Sequence, residues 1–337
     1  MRRNRKMMAV VLTLMLAAFA GCGSEKPAEQ PAAAETDVKT VGIIQLVEHP
    51  SLNMIYEGTV ASLAEQGFVD GENITIDYQN AQNDATNQQT ICQKFVSNNY
   101  DLIIAIATPA AQTAAGRTQD IPIVFAAVTD PVAAGLVDDL NHPGGNVTGT
   151  SDAVSASAIM DLAREVQPEL KTVGALYNTG ETNSVSVIGD LKAYAEENGL
   201  EVIEATMTNS SEVQQAVTSL MGKVDAVFSP IDNTVASAMP LVAKTAIASG
   251  IPVYVGADSM VQDGGFATCG IDYAILGEET GKMAARILNG EAAGEIPVMT
   301  MKDYSVYLND ETAAAIELEV PQSVLDRATV LNSTTQE

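Results

Sequence analysis

The chain has 337 residues, 46% of them hydrophobic and 18% charged, which suits about two domains and is too apolar for a disordered chain. Its 17 Lys and Arg face 43 Asp and Glu, a formal charge of −26, so it lacks the basic footprint of a general nucleic-acid binder or of a protein held electrostatically on anionic lipid. Three cysteines and two histidines leave little material for a metal site, and the absence of Trp with only 4% aromatic residues argues against an aromatic sugar-stacking platform.

The first 21 residues read as an address. Arg2, Arg3, Arg5 and Lys6 form a basic n-region, and Met7 to Ala20 is an apolar run too short for a spanning helix, which needs about 17 residues or more. The run ends in Phe19-Ala20-Gly21-Cys22, which resembles a bacterial lipobox, with Phe19 where Leu is commoner. In such signals the Cys, here Cys22, is lipidated and becomes the new N-terminus. Removing residues 1–21 leaves 13 bases against 43 acids, a charge that keeps a surface protein soluble. Residues 22–37, rich in Pro, Ala, Glu and Ser, read as a flexible tether. Cys92 and Cys269 remain and read as two separate buried thiols, although an oxidising compartment leaves pairing open.

Beyond the tether, strand-like runs alternate with helical spacing. Val41 to Leu46 predicts a strand, Asn53 to Gln66 a helix stopped by Gly67, Asn73 to Tyr78 a strand, and Asp84 to Asn98 a helix. Leu102 to Ala107 predicts a buried strand, Ala110 to Thr118 a short helix, and Ile123 to Ala127 and Asn146 to Thr150 further strands. The pattern then restarts. Ser155 to Val166, Ser184 to Asn198, Ser211 to Gly222 and Thr234 to Ser249 predict helices. Val173 to Tyr177, Glu201 to Ala205, Ala226 to Ser229, Val253 to Val255 and Ala267 to Cys269 predict strands. Such alternation implies an α/β fold of two Rossmann-like domains, each a parallel sheet with helices on both faces.

The two halves match in spacing. Asp101 to Thr108 and Asp225 to Asp232 each run seven residues from an Asp to a polar strand end, as do Ile121 to Val128 and Ile251 to Asp258 from an Ile-Pro. Ligands of open α/β sheets sit at the carboxyl ends of strands. Two such edges facing each other make a cleft between domains, a common place for a small-molecule site. Enzyme motifs are missing: there is no Gly-x-Ser-x-Gly, Walker A, Gly-x-Gly-x-x-Gly or His-Glu-x-x-His. His142 reads as a turn residue, and His49 lies beside the first strand end, where it could touch a ligand, with no nucleophile specified near it.

Across roughly Val41 to Leu331 the chain resembles the lipoprotein substrate-binding proteins of ABC transporters that include tryptophan-type aromatic amino-acid receptors. The motifs are Gly42-Ile-Ile-Gln-Leu-Val-Glu-His-Pro50, Asn73-Ile-Thr-Ile-Asp-Tyr-Gln-Asn-Ala81, Ala107-Thr-Pro-Ala-Ala-Gln112 and Val128-Thr-Asp-Pro131. They continue with Pro143-Gly-Gly-Asn-Val-Thr-Gly-Thr-Ser-Asp152, Asp232-Asn-Thr-Val-Ala-Ser237, Gly270-Ile-Asp-Tyr273 and Val320-Pro-Gln-Ser-Val-Leu325. The resemblance implies a type I periplasmic-binding, Venus-flytrap architecture with three hinge crossings, near 149–153, 271–274 and 301–306. The domains would be 38–150 plus 274–303 and 151–273 plus 304–331, followed by a tail at 332–337. A helix from Ile275 to Asn289 would return to the first domain. The resemblance also implies an extracytoplasmic, lipid-anchored monomer that hands its ligand to a permease served by separate ATPase subunits, with no cofactor.

An amino-acid ligand presents a carboxylate and an ammonium. Thr108, with Ala110 in the following helical turn, suits the carboxylate, as does the hydroxyl of Thr129, although Thr108 can instead cap its helix. Asp258, at the matched strand end of the second domain, is the candidate for the ammonium, a role that leucine-type receptors give to an acid. Gln45, Asn178, Asn183 and Asn233 are further polar candidates, and Ser151, Asp152 and Asp272 either line the cleft or satisfy hinge backbone. Leu46 and Tyr177 are candidates to bound an apolar or aromatic side chain. Alternatives in the same fold are a sugar, nucleoside or branched amino acid as ligand, or a surface sensor. An extracellular hydrolase is a further alternative.

Overall fold

The computed structural model describes residues 38–331, so the signal at 1–21, Cys22, the tether and the tail at 332–337 lie outside the described residues. The first lobe runs β1 (Lys39–Gln45), α1 (Pro50–Glu65), β2 (Ile74–Asn80), α2 (Ala85–Ser97), β3 (Leu102–Ile106), α3 (Thr108–Ala115), β4 (Ile123–Ala126) and β5 (Val147–Ser151). Strands β3, β4 and β5 are buried along their whole length, as strands covered on both faces by helices must be.

The second lobe continues with α4 (Ala156–Val166), β6 (Thr172–Asn178), α5 (Thr182–Asn198), β7 (Glu201–Met207), α6 (Val213–Leu220) and β8 (Ala226–Ser229). Then follow α7 (Asn233–Ala236), α8 (Met239–Ile247), β9 (Val253–Val255), α9 (Asp258–Gln262), β10 (Ala267–Gly270) and α10 (Tyr273–Leu288). The chain closes with β11 (Met299–Thr300), β12 (Ser305–Leu308), α11 (Asp310–Ala315), α12 (Gln322–Leu325) and β13 (Ala328–Val330).

One sheet has the order β11-β5-β4-β3-β1-β2 and the other β13-β12-β10-β9-β8-β6-β7. All ladders are parallel except β10 with β12. The backbone therefore passes between sheets after β5, after β10 and between β11 and β12. Helix α10 follows a second-lobe strand but lies on α1 of the first lobe. Glycines allow that approach: a Cβ on Gly277 would stand 2.7 Å from the Ile55 carbonyl oxygen, and one on Gly281 2.7 Å from that of Thr59.

Several boundaries differ from expectation. Helix α1 starts three residues early, because Pro50 sits in its first turn, where a missing N–H costs nothing. The single helix expected over 234–249 is two helices. In a continuous helix the Pro240 ring would clash with the carbonyl of Ala236, so the chain breaks at Ser237 and Ala238 and restarts. The helix expected over 211–222 shrinks to α6, preceded by a 3-10 turn at Ser210–Glu212. Cys92 and Cys269 are both free thiols.

Candidate functional site

The carboxyl ends of the two parallel sheets face each other, and the lobes are closed on one another. His49 Nε2 lies 3.4 Å from Asn233 Oδ1, and the hydroxyls of Ser51 and Ser259 are 2.5 Å apart. Asn83 donates to the Thr234 hydroxyl at 3.2 Å, Gln112 to that of Thr182 at 3.4 Å, and Ser186 to the Asp130 carboxylate at 2.8 Å. Each of these five contacts joins a first-lobe residue to a second-lobe residue.

The first-lobe edge is strained. Ala107 has φ 81° and ψ 153°, a region that only glycine occupies comfortably, and Ala127 has φ 53°. Both sit where a strand turns into the cleft. Ala107, not Thr108, is the cap residue of α3, so the expected capping alternative for Thr108 does not hold. Thr108 is instead the first helical residue, is fully buried, and its hydroxyl has no partner among the described residues. Ala110 is buried in the same turn. On the neighbouring strand end, Gln45 donates to the Val47 carbonyl at 2.9 Å and to Asn53 Oδ1 at 2.8 Å, which leaves its buried Oε1 without a donor. Leu46 beside it is fully buried. His49, at the entry to α1, is buried between the lobes, and burial pulls its imidazole down to about 4, so the ring is neutral.

At the hinge, Asp152 is 1% exposed, and its carboxylate accepts from two hydroxyls, Thr129 at 2.9 Å and Tyr273 at 3.1 Å. Burial pushes it up to about 6. The half-buried Asp258, at the start of α9, is also pushed up to about 6, by burial and in part by Asp272. Burial, together with the nearby carboxylates of Asp152 and Asp258, pushes the Tyr273 phenol well above its usual range, so it stays protonated. The structure corrects one expectation here and takes the hinge-backbone alternative for two other residues. The Thr129 hydroxyl is spent on Asp152, so it is not a free donor for an anion. Ser151 bonds the Thr129 carbonyl and the Ala153 amide, a hinge role. Asp272 is exposed and caps α10 through the Ala274 and Ile275 amides.

The second-lobe edge is organised by two buried carboxylates. Glu181 accepts from the amide and side chain of Asn233 at 3.0 and 2.6 Å and from the amide and hydroxyl of Thr234 at 3.0 and 2.8 Å. Asp232 accepts from the Asn178 amide, the Ser184 hydroxyl and the Val235 amide, and burial next to Glu181 holds it well above the usual carboxylate range. Asn233 thus reaches across to His49. Asn183 donates to the Ile231 carbonyl and keeps a buried, unpartnered Oδ1. Asn178 is used within the lobe, on Thr234 and Gly180. Tyr177 is a correction: its hydroxyl donates to Glu204 at 2.6 Å, and Glu204 pairs with Lys192 of α5, so the ring belongs to the lobe's own packing.

Sequence reasoning passed over Glu181, Tyr273, Ser51 and Ser259, and gave His49 only a place beside the first strand end where a ligand could touch it. His49-Pro50 opening a helix at a strand end was an available signal for His49. Glu181 carried none, because its partners lie about fifty residues away. Among the described residues no helix is long and apolar enough to cross a membrane, and no cluster suits a metal ion.

Two parallel-sheet lobes, crossed three times by the chain and closed on a polar cleft, define a type I periplasmic-binding fold. The profile of the family described as ABC transporter substrate binding protein matches residues 40–331, and the chain belongs to that family. It is 42% identical over 325 residues to the tyrosine-binding protein of Clostridioides difficile (strain R20291), covering 95% of this chain and 94% of that protein. It is 40% identical to the crystal structure of an ABC domain in complex with L-Trp from Streptococcus pneumonia, covering 87% of this chain and 99% of that one, at a TM-score of 0.84. A ligand-free, open substrate binding protein with adhesive properties from Clostridium difficile is 46% identical, with 88% and 100% coverage, but its TM-score is only 0.67. The more identical protein superposes less well, as expected of an open form set against closed lobes.

Proposed function

We propose that the chain is a lipid-anchored extracytoplasmic receptor that captures an aromatic amino acid in its cleft and delivers it to an ABC permease. The observation that carries the ligand class is a complementary pair of needs. Asp152 is a fully buried carboxylate that accepts from two neutral hydroxyls, and Thr108 offers a buried hydroxyl, unpartnered among the described residues, at the start of a helix. A buried carboxylate is costly until a cation joins it, and a hydroxyl beside a helix N-terminus suits an anion. A zwitterion supplies both. Asp152 takes the ammonium with Asp258 close by, and Thr108 takes the carboxylate with the free amides of the first turn of α3. The tyrosine and tryptophan named in the relatives support an aromatic side chain. Ligand touching both lobes stabilises the closed form, which is the form a permease recognises.

The test is a thermal-shift and calorimetric panel of the twenty amino acids, common sugars and nucleosides on residues 38–337, unfolded and refolded to remove any co-purified ligand. A ligand at 100 times its Kd stabilises by about 2.7 kcal/mol. Shifts with aromatic amino acids, lost on methyl-esterifying the ligand, are the expected result. A response to sugars or nucleosides alone overturns the ligand class.

A further inference from the structure

The orientation of His49 follows from a chain of donors that starts at Glu181. The Glu181 carboxylate accepts from Asn233 Nδ2 at 2.6 Å, which turns Asn233 Oδ1 toward His49. Oδ1 can only accept, so the proton of the imidazole is on Nε2 and the lone pair is on Nδ1. That Nδ1 is buried and has no partner among the described residues. Gln45, the last residue of β1 and four residues before His49, has both Nε2 hydrogens spent and presents Oε1 as a second buried acceptor.

The sheet order places these acceptors. Along the first-lobe edge the strands run β5, β4, β3, β1, carrying Asp152, Thr129, Thr108 and then Gln45 with His49. Neighbouring strands are about 4.8 Å apart. A zwitterionic head held between Asp152 and Thr108 can run its side chain along this edge toward β1, where two acceptors of fixed orientation wait. A phenyl ring would leave both buried and unpaired, which is costly, whereas a phenol O–H or an indole N–H satisfies one.

We propose that His49, oriented by Asn233 and Glu181 and seconded by Gln45, determines specificity, so that the cleft takes aromatic amino acids whose ring carries a hydrogen-bond donor and rejects phenylalanine. The inference rests on the reading of the cleft as an aromatic amino-acid site. Glu181 and Asn233 are positioning residues for it.

The experiment is calorimetry with tyrosine, 4-aminophenylalanine, phenylalanine and 4-fluorophenylalanine on the wild-type chain, His49→Phe and Glu181→Gln. The wild type is expected to prefer the two donor-bearing ligands by at least tenfold. His49→Phe brings that ratio to within about threefold of unity, and Glu181→Gln lowers it by releasing the Asn233 amide. Loss of the contact from His49 to Asn233 weakens all four ligands alike, so the ratio isolates the specificity role. If His49→Phe does not fold, the ratio in Glu181→Gln carries the test. Equal affinity for tyrosine and phenylalanine in the wild type overturns the inference and leaves the aromatic reading intact, as does a ratio that survives substitution. Binding of none of the four overturns the aromatic reading and this inference with it.

Discussion

Thr108→Val should change ligand affinity and lobe closure in opposite directions. Thr108 is 1% exposed in the closed form and its hydroxyl has no partner among the described residues, and burying a hydroxyl without a hydrogen bond costs about 1–3 kcal/mol. Valine fills nearly the same volume with no polar atom. In the ligand-free protein the substitution removes that cost from the closed form alone, since an open cleft hydrates the hydroxyl. At the low end, about 1 kcal/mol, the closed population should rise roughly fivefold relative to open. With ligand the sign reverses. A hydroxyl donating to a carboxylate is worth about 1.5–3 kcal/mol, so its loss should raise Kd by roughly 10- to 150-fold, less the fivefold regained through easier closure. Distance between fluorophores on the two lobes reads the first effect, and calorimetry with tyrosine reads the second. Thr108→Ser, which keeps the hydroxyl, should stay near wild type. A Thr108→Val protein that binds within twofold of wild type, with an unchanged closed fraction, would refute the assignment of Thr108 to the ligand carboxylate.

Ala107→Gly should raise the unfolding free energy by about 1 kcal/mol, since it relieves strain of about 1–3 kcal/mol at φ 81° and gives back about 0.5–1 as chain entropy, whereas Ala107→Val should lower it. An Ala107→Gly protein with a lower Tm than wild type would show that the Ala107 conformation is not strained. Gly277→Ala should destabilise by about 1–3 kcal/mol in a denaturant melt, because the added methyl meets the Ile55 backbone, which cannot move without shifting α1. The pH profile of stability should change in Asp152→Asn. The carboxyl of Asp152 is raised from 3.8 to about 6, so the folded chain holds its proton longer than the unfolded one, and stability from this group is full below pH 4 and lost as pH rises to about 6. The shift corresponds to about 3 kcal/mol, so Asp152→Asn should flatten the decline in Tm between pH 4 and 6, and an identical slope in the two proteins would count against a buried, uncompensated Asp152. His49 acts in the other sense: its lowered value makes stability fall as pH drops from 6.5 toward 4, and His49→Phe should remove that loss.

The alternation of short apolar runs with helical spacing was enough to infer two parallel-sheet halves, because strands covered on both faces by helices must be apolar throughout, as Leu102 to Ile106 is. The same regularity brought Thr108, Gln45, Asp258 and Asn233 to the strand ends where a ligand sits. It misjudged or left open residues whose roles depend on what stands opposite them. Tyr177 ends a strand, but which face its ring takes, and hence its bond to Glu204, is decided by the pleat and by the helix above it. Asp272 and Thr129 are polar residues at the correct edge, yet one is spent as a helix cap and the other on a hinge carboxylate.

Local pattern determined the elements, their order and the edge on which polar residues collect, since hydrophobic periodicity and turn chemistry act within a few residues along the chain. Only the tertiary structure decided which of those polar groups are free to meet a ligand. A hydrogen-bonding atom is available only if no other group has claimed it, and the claimants of Asn233, Thr129 and Asp152 come from segments tens to nearly two hundred residues away, brought together by the folding of the lobes and hinge and, for His49 on Asn233, by the closing of one lobe on the other.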